Sequence, residues 1–145
     1  PFVDGIVGVD ASPLMLELAR MRLRDFDNVE LRVGDLESLP VEDDSADIAT
    51  MILVLHHLEQ PGTAIREAAR CLRPGGRILI VDMLPHDRAE YRQDKGHVWL
   101  GFSQDDINEF LAETGFETGR FHALPPAPEA KGPNLFAVTA HLRRQ

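Results

Sequence analysis

The sequence predicts an α/β fold, a doubly wound and mostly parallel sheet with a C-terminal antiparallel hairpin. Three observations carry this. Short apolar runs alternate with capped, helix-periodic segments along most of the chain, and such alternation places helices on both faces of a parallel sheet. The run "DIATMILVL", Asp47–Leu55, is apolar almost throughout, as in a strand buried on both faces. The last two strand-like runs, Phe116–Leu124 and Leu135–His141, have no helix between them and are expected to pair as an edge hairpin.

Each element has a local reason. Ile6–Val9 is β-branched and apolar. Ser12 follows as an N-cap and Pro13 takes the first helical position, with Leu14, Leu18 and Met21 recurring at i, i+4 and i+7. Asn28–Val33 alternates Val29, Leu31 and Val33 and ends in Gly34-Asp35. A helix is expected from about Pro61 to Leu72 with a buried stripe of Ile65, Ala68, Ala69 and Leu72. "RPGG", Arg73–Gly76, then reads as a stop and turn before the strand Arg77–Met83. Leu84–Gly101 has no clear period. Ser103 caps a further helix, with Asp106 three residues on, a stripe of Ile107, Phe110 and Leu111, and Gly115 at its end. The Pro-rich loop "LPPAPEAKGPN" joins the last two strands, and no internal repeat is present.

The bulk numbers narrow the function. A chain of 145 residues forms one domain with a real core, so residues 1–145 are read as a single domain. A formal net charge of −9 argues against nucleic acid as a partner, because phosphate binding needs clustered Lys and Arg. Cys71 is the single cysteine, which leaves no internal disulfide and no thiolate metal cluster. No signal peptide and no long apolar run is seen, so no membrane partner is expected and the expected location is the cytoplasm.

The candidate site residues sit at strand ends, where doubly wound sheets hold ligands. Asp10 ends the first strand; its carboxylate either accepts both hydroxyls of a ribose or caps the helix that follows. Asp35 ends the next strand; it either accepts from an exocyclic adenine amine, with the Leu36 backbone meeting a ring nitrogen, or forms an Asp turn after glycine. His56 and His57 follow the apolar strand. A neutral imidazole there accepts a substrate proton or orients a hydroxyl, or else simply completes a polar strand end. No metal site is expected, because adjacent strand residues point apart. His86, His97 and Trp99 belong either to a binding lid or to a packed loop. Glu67 and Arg70, at i and i+3, read as a surface pair, and the role of Asp82 at its strand end is open.

Several stretches together resemble a known family. "GVDASPLMLELAR", "VGDLESLPVEDDSADIA" and "LVLHHLEQPGTAIREAARCLRPGGRILIVD" are similar to consecutive motifs of class I S-adenosylmethionine-dependent methyltransferases, with quinone-biosynthesis enzymes as the nearest flavour. "DMLPHDRAEYRQDKGHVWLGFS" resembles methyltransferase domains fused to winged-helix regulators of the arsenical-resistance type. The matches run from about Gly5 to Ser103. They imply a Rossmann-like sheet of order 3-2-1-4-5-7-6 and S-adenosylmethionine as cofactor. Asp10 with Ala11 would bind its ribose, Asp35 with Leu36 its adenine, and Val54, Leu55, His56 and His57 would line the methyl-donor pocket. His56 and His57 are the catalytic candidates, and the acceptor is expected to be a small molecule.

The family pattern opens with a strand and a glycine-rich loop ahead of the Asp10 strand. No G-x-G occurs in this sequence, which begins at Pro1, so the first strand is expected to be missing from it. One of three outcomes is expected: a segment present in a parent protein, a strand supplied by another chain in a homodimer or strand exchange, or direct pairing of the two flanking strands. Two other functions compete: a nicotinamide-dependent oxidoreductase, and an inactive domain serving as a binding or dimerisation module. One cysteine makes no site for soft arsenic, so arsenite is not the expected acceptor.

Overall fold

The computed structural model describes residues 2–117, 119–126 and 128–143. The chain divides into two compact units, Pro1–Glu42 and Asp43–Gln145, and each is described by itself.

Unit 1 contains β1 (Ile6–Asp10), α1 (Pro13–Arg22) and β2 (Val29–Val33). β1 and β2 run parallel, with Ile6 opposite Val29 and Asp10 opposite Val33. α1 starts where its cap predicts. The Ser12 hydroxyl accepts from the Met15 N–H at 3.3 Å, and Pro13 sits inside the first turn, where its missing N–H leaves no partner wanting. The face the helix buries is not the expected one. Leu14, Leu18 and Met21 are exposed, at 64%, 43% and 66%, whereas Leu16 is enclosed and Ala19 and Leu23 are half-buried. At 100° per residue Leu16, Ala19 and Leu23 lie opposite the Leu14 stripe. The helix has apolar residues on two faces, and periodicity alone does not choose between them.

Unit 2 holds β3 (Ala46–Ile52), α2 (Pro61–Cys71), β4 (Leu72–Met83), α3 (Glu90–Asp94), α4 (Gln104–Glu113), β5 (Arg120–Ala123) and β6 (Leu135–His141). Its sheet has the order β3-β4-β6-β5. β3 and β4 are parallel, and the closing β5-β6 hairpin is antiparallel, as is the β4-β6 ladder. With its first strand left out, the implied order breaks into 3-2 and 4-5-7-6, and these are the two ladders found. Among the described strands of unit 1, β1 pairs with β2, and in unit 2 β3 pairs with β4.

The "RPGG" stretch is not a separate turn. β4 begins at Leu72, directly after α2, and the stretch is a bulge: Ala46 pairs with Leu72, but Ile48 already pairs with Arg77. Gly75, at φ 83°, supplies the left-handed residue the bulge needs. α4 carries a complete capping box, with Ser103 N–H donating to Asp106 Oδ2 at 2.7 Å and Asp106 N–H to Ser103 Oγ at 3.2 Å. The strand expected over Phe116–Leu124 is shorter, Arg120–Ala123, and Thr118 lies outside the described residues. The irregular segment contains α3, and Glu67 does pair with Arg70, which also bonds Asp43. The core gathers Ile65, Leu72, Ile78, Ile80, Ile107, Leu111, Phe136 and Val138, all almost fully enclosed. No helix among the described residues is long and apolar enough to cross a membrane.

β3 departs from expectation twice. Met51 is buried, but Ile48 and Ile52 on the other face are 59% and 54% exposed. The strand also stops at Ile52, because Leu53 takes a left-handed conformation at φ 57°. That conformation costs a residue with a Cβ about 1 kcal/mol. It turns the chain into a 3-10 turn at Leu55–His57 and so sets where the two histidines go.

Candidate functional site

In unit 1 the two candidate acids stand on adjacent strand ends. Asp10 closes β1, and its carbonyl accepts from the Gly34 N–H at 3.1 Å, one residue before Asp35. Asp10 Oδ1 accepts from the Ser12 N–H at 2.8 Å, and Asp35 Oδ1 accepts from the Glu37 N–H at 2.8 Å. Each acid therefore organises its own turn, as Asp does when its side chain reaches a backbone N–H two residues on. Among the described residues no hydrogen bond uses the second oxygen, Oδ2, of either acid. Asp10 is half-buried, Ala11 and Asp35 are exposed, and Leu36 is half-buried. Gly34 is required at its position: a Cβ there would run into the Pro40 ring, which folds back over it. Arg32 fastens that fold by donating from Nη1 to the Pro40 carbonyl at 2.6 Å.

In unit 2 the site is built around Asp82, near the end of β4 and fully buried. Its Oδ1 accepts from His56 Nδ1 at 2.7 Å and from the Met83 N–H at 2.8 Å, and its Oδ2 accepts from the Leu55 N–H at 3.1 Å. The charge is thus held by three donors. A carboxylate accepts, so Nδ1 of His56 is the donor in this bond, and in the neutral ring the lone pair lies on Nε2. The His56 ring is 2% exposed. The Leu55 side chain is fully enclosed and its N–H is engaged, while Val54 is half-buried. Leu55 is therefore a core residue here, because the 3-10 turn directs it inward.

The same turn overturns the argument that His56 and His57 point apart. Their ring centroids are 4.1 Å apart. His57 donates from Nδ1 to the Gly96 carbonyl, 3.2 Å away, which again leaves Nε2 bare. The third ring is His97, 4.2 Å from His56 and 5.1 Å from His57, centroid to centroid. One ring nitrogen from each of the three lies within 4.8 Å of the others. Backbone bonds hold the third arm: the Val98 and Trp99 N–H groups donate to the His56 carbonyl at 2.9 and 3.1 Å, and the His97 N–H to the Tyr91 carbonyl at 3.2 Å. Trp99 Nε1 donates to the Leu58 carbonyl at 3.0 Å and its ring stacks on Phe102. The irregular segment is thus a packed strap over the histidine turn.

Burial holds the His97 imidazole down to about 4, helped by the neighbouring His56, His57, His86 and Lys95 charges. His86 is lowered as well, by burial first and then by Arg88. Burial raises the Cys71 thiol, against the pull of Arg70.

Sequence reasoning placed His56 and His57 but missed their partners. Asp82 and His97 lie 26 and 41 residues beyond His56, and only folding joins them. The available signal was an acid at the end of an apolar strand, which has no reason to be there unless something pairs with it.

Comparisons with known proteins agree with one another. The profile of a family described as a methyltransferase domain matches residues 2–80. The uncharacterised methyltransferase YcgJ of Bacillus subtilis is 42% identical over 84 residues, covering 57% of this chain and 33% of that protein. An arsenite methyltransferase of Halobacterium salinarum is 33% identical over 123 residues, covering 79% of this chain and 32% of that protein. The chain thus spans about a third of the length of these two curated relatives. The crystal structure of Bacillus subtilis YcgJ matches the fold with a TM-score of 0.81 at 24% identity, over 100% of this chain and 85% of that one.

Proposed function

The chain belongs to the class I S-adenosylmethionine-dependent methyltransferases, and from that premise we propose that it serves methyl transfer to a small-molecule acceptor by in-line displacement. When bound, S-adenosylmethionine supplies a methyl group on a positively charged sulfur, which departs as a neutral thioether when an acceptor lone pair attacks from the opposite side.

The residues of unit 1 suit the adenosyl part. Asp10 and Asp35 each keep one carboxylate oxygen beyond the one that shapes the local turn. Asp10 Oδ2 is assigned to the ribose hydroxyls and Asp35 Oδ2 to the adenine amine, with the Leu36 backbone beside it. Ala11, small and exposed, leaves room at the strand end. No basic cradle is needed, since this cofactor carries no phosphate. A hydrogen bond to a charged carboxylate contributes about 1.5–3 kcal/mol. In unit 2, His56 and His57 are assigned to the acceptor's proton, through the Nε2 lone pairs that their engaged Nδ1 atoms leave free. Alignment and exclusion of water then supply most of the acceleration.

One observation carries this reading: two half-engaged carboxylates at the ends of adjacent parallel strands, inside the segment the family profile matches. Arsenite is not the proposed acceptor, because Cys71 is buried and its thiol pKa is raised, so it offers no thiolate for a soft centre. Titration with S-adenosylhomocysteine tests the reading. Asp10→Ala is expected to weaken binding by at least about tenfold, or about 1.4 kcal/mol. Unchanged affinity would remove Asp10 from the site. Stabilisation by NAD⁺ with no response to S-adenosylhomocysteine would overturn the function itself.

A further inference from the structure

We propose that His56, His57 and His97 form a three-imidazole site for a divalent first-row transition metal ion, with Asp82 as the carboxylate that orients His56. The proposal does not rest on methyl transfer; it follows from the geometry of unit 2, and an ion bound there would occupy the Nε2 lone pairs otherwise assigned to the acceptor's proton.

Four observations lead to it. The three rings each bring a nitrogen within 4.8 Å of the other two. Bonds of 2.0–2.1 Å in a tetrahedral zinc site put ligand nitrogens ~3.3 Å apart, so no pair in the set has to close by more than ~1.5 Å. The tautomers are also right. His56 and His57 both donate from Nδ1, to Asp82 and to the Gly96 carbonyl, which turns both Nε2 lone pairs into available ligands. The His56–Asp82 pair is the carboxylate–histidine arrangement that fixes ring orientation behind a metal ligand and raises its basicity.

The third observation is His97 itself. The residue is 6% exposed and its Nδ1 is buried without a hydrogen-bond partner among the described residues. A buried nitrogen with no partner is costly, and a metal ion in the centre of the cluster provides one. The fourth is the scaffold. His56 and His57 share one short turn, and the strap holding His97 is bonded to the His56 carbonyl through Val98 and Trp99. Ligands supported in this way are held before the ion arrives.

The donor set names the ion class. Three imidazoles suit zinc, iron, cobalt, nickel or copper, and not magnesium or calcium, which take oxygen ligands. Three protein ligands leave a fourth position open, as in zinc sites that bind a water or a substrate atom. His57 is exposed and gives the ion a way in. The expectation of no metal rested on adjacent strand residues pointing apart, and the 3-10 turn removes that ground.

Metal binding to the chain, after chelator treatment and without cofactor or acceptor, tests the proposal independently of the methyltransferase reading. Zn²⁺ is titrated against a chromophoric chelator, and Co²⁺ is followed by its visible absorption. One Zn²⁺ per chain is expected, with the intense visible bands of Co²⁺ in a low-coordinate nitrogen site and no competition from Mg²⁺. His57→Ala and His97→Ala are each expected to weaken Zn²⁺ binding at least about 100-fold. His122→Ala, on exposed β5, keeps wild-type affinity. His57 is exposed, so its variant keeps the fold, and a melting curve checks this. A wild-type chain that takes up no Zn²⁺, or a folded His57→Ala chain that binds it as tightly as wild type, overturns the site.

Discussion

Unit 1 leaves Leu14, Met15, Leu18, Met21, Phe26 and Val33 open to solvent and encloses Leu16, whereas unit 2 encloses Ile65, Leu72, Ile78, Ile80, Phe102, Phe116 and Phe136 completely. The difference follows from layer width. One helix on a two-stranded ladder covers a single apolar row. Four strands with α2 and α4 present facing rows that interdigitate. The polar residues divide the same way. In unit 1 the acids are organised by bonds between residues two apart in sequence. In unit 2 the bonds join residues 26, 39 and 41 apart. The comparison teaches that a locally assembled site can sit on a thin scaffold, while a buried polar cluster needs a dense core around it.

Four measurements press on this contrast. Phe136→Ala, in the middle of unit 2, is expected to cost about 4 kcal/mol in urea unfolding, from lost burial and the cavity left behind. A loss below about 1 kcal/mol would break the claim that unit 2 carries the core. Asp82→Ala is expected to cost about 3 kcal/mol, since it strips the partner from a buried His56 Nδ1–H and from the Leu55 N–H together.

The third measurement is pH dependence. His97 is held at about 4 in the folded chain, below the ordinary imidazole value. The unfolded chain therefore binds the proton more readily. The stability this represents is complete above the ordinary imidazole range and is lost as pH falls toward about 4. The facing groups are His56, His57, His86 and Lys95, with Asp82 behind His56. Urea midpoints between neutral pH and about 4 are expected to fall less steeply in His97→Gln than in wild type, and parallel slopes would contradict this. The smallest effect is expected from Leu18→Ser, on the open face of α1. It changes stability by no more than about 0.5 kcal/mol; a cost near that of Phe136→Ala would show that this face is covered in solution.

Much of the fold was legible because its signals are short-range. Ser12-Pro13 and the Ser103/Asp106 box start their helices where the residues say. The missing helix between the last two strands does force the hairpin. Asp10 and Asp35 were legible for the same reason: a strand, an acid and a turn are contiguous. The misreadings came where two local solutions compete. Periodicity offered α1 two apolar faces, the glycines of "RPGG" serve a bulge as well as a turn, and nothing in the apolar run to Leu55 announces that Leu53 turns left-handed.

By itself the sequence determined the order of strands and helices and the acids at the first two strand ends, because caps and periodicity act over a few residues, while the run of motifs from about Gly5 to Ser103 carried the resemblance to the family. Only the tertiary structure decided that Asp82, His56, His57 and His97 meet. Their meeting depends on β4 lying beside β3, on one left-handed residue ending β3 early, and on a strap of irregular chain returning to the His56 carbonyl. Contacts between residues so far apart along the chain become favourable only once the core beneath them is packed, since the entropy of closing those loops has to be offset by that burial.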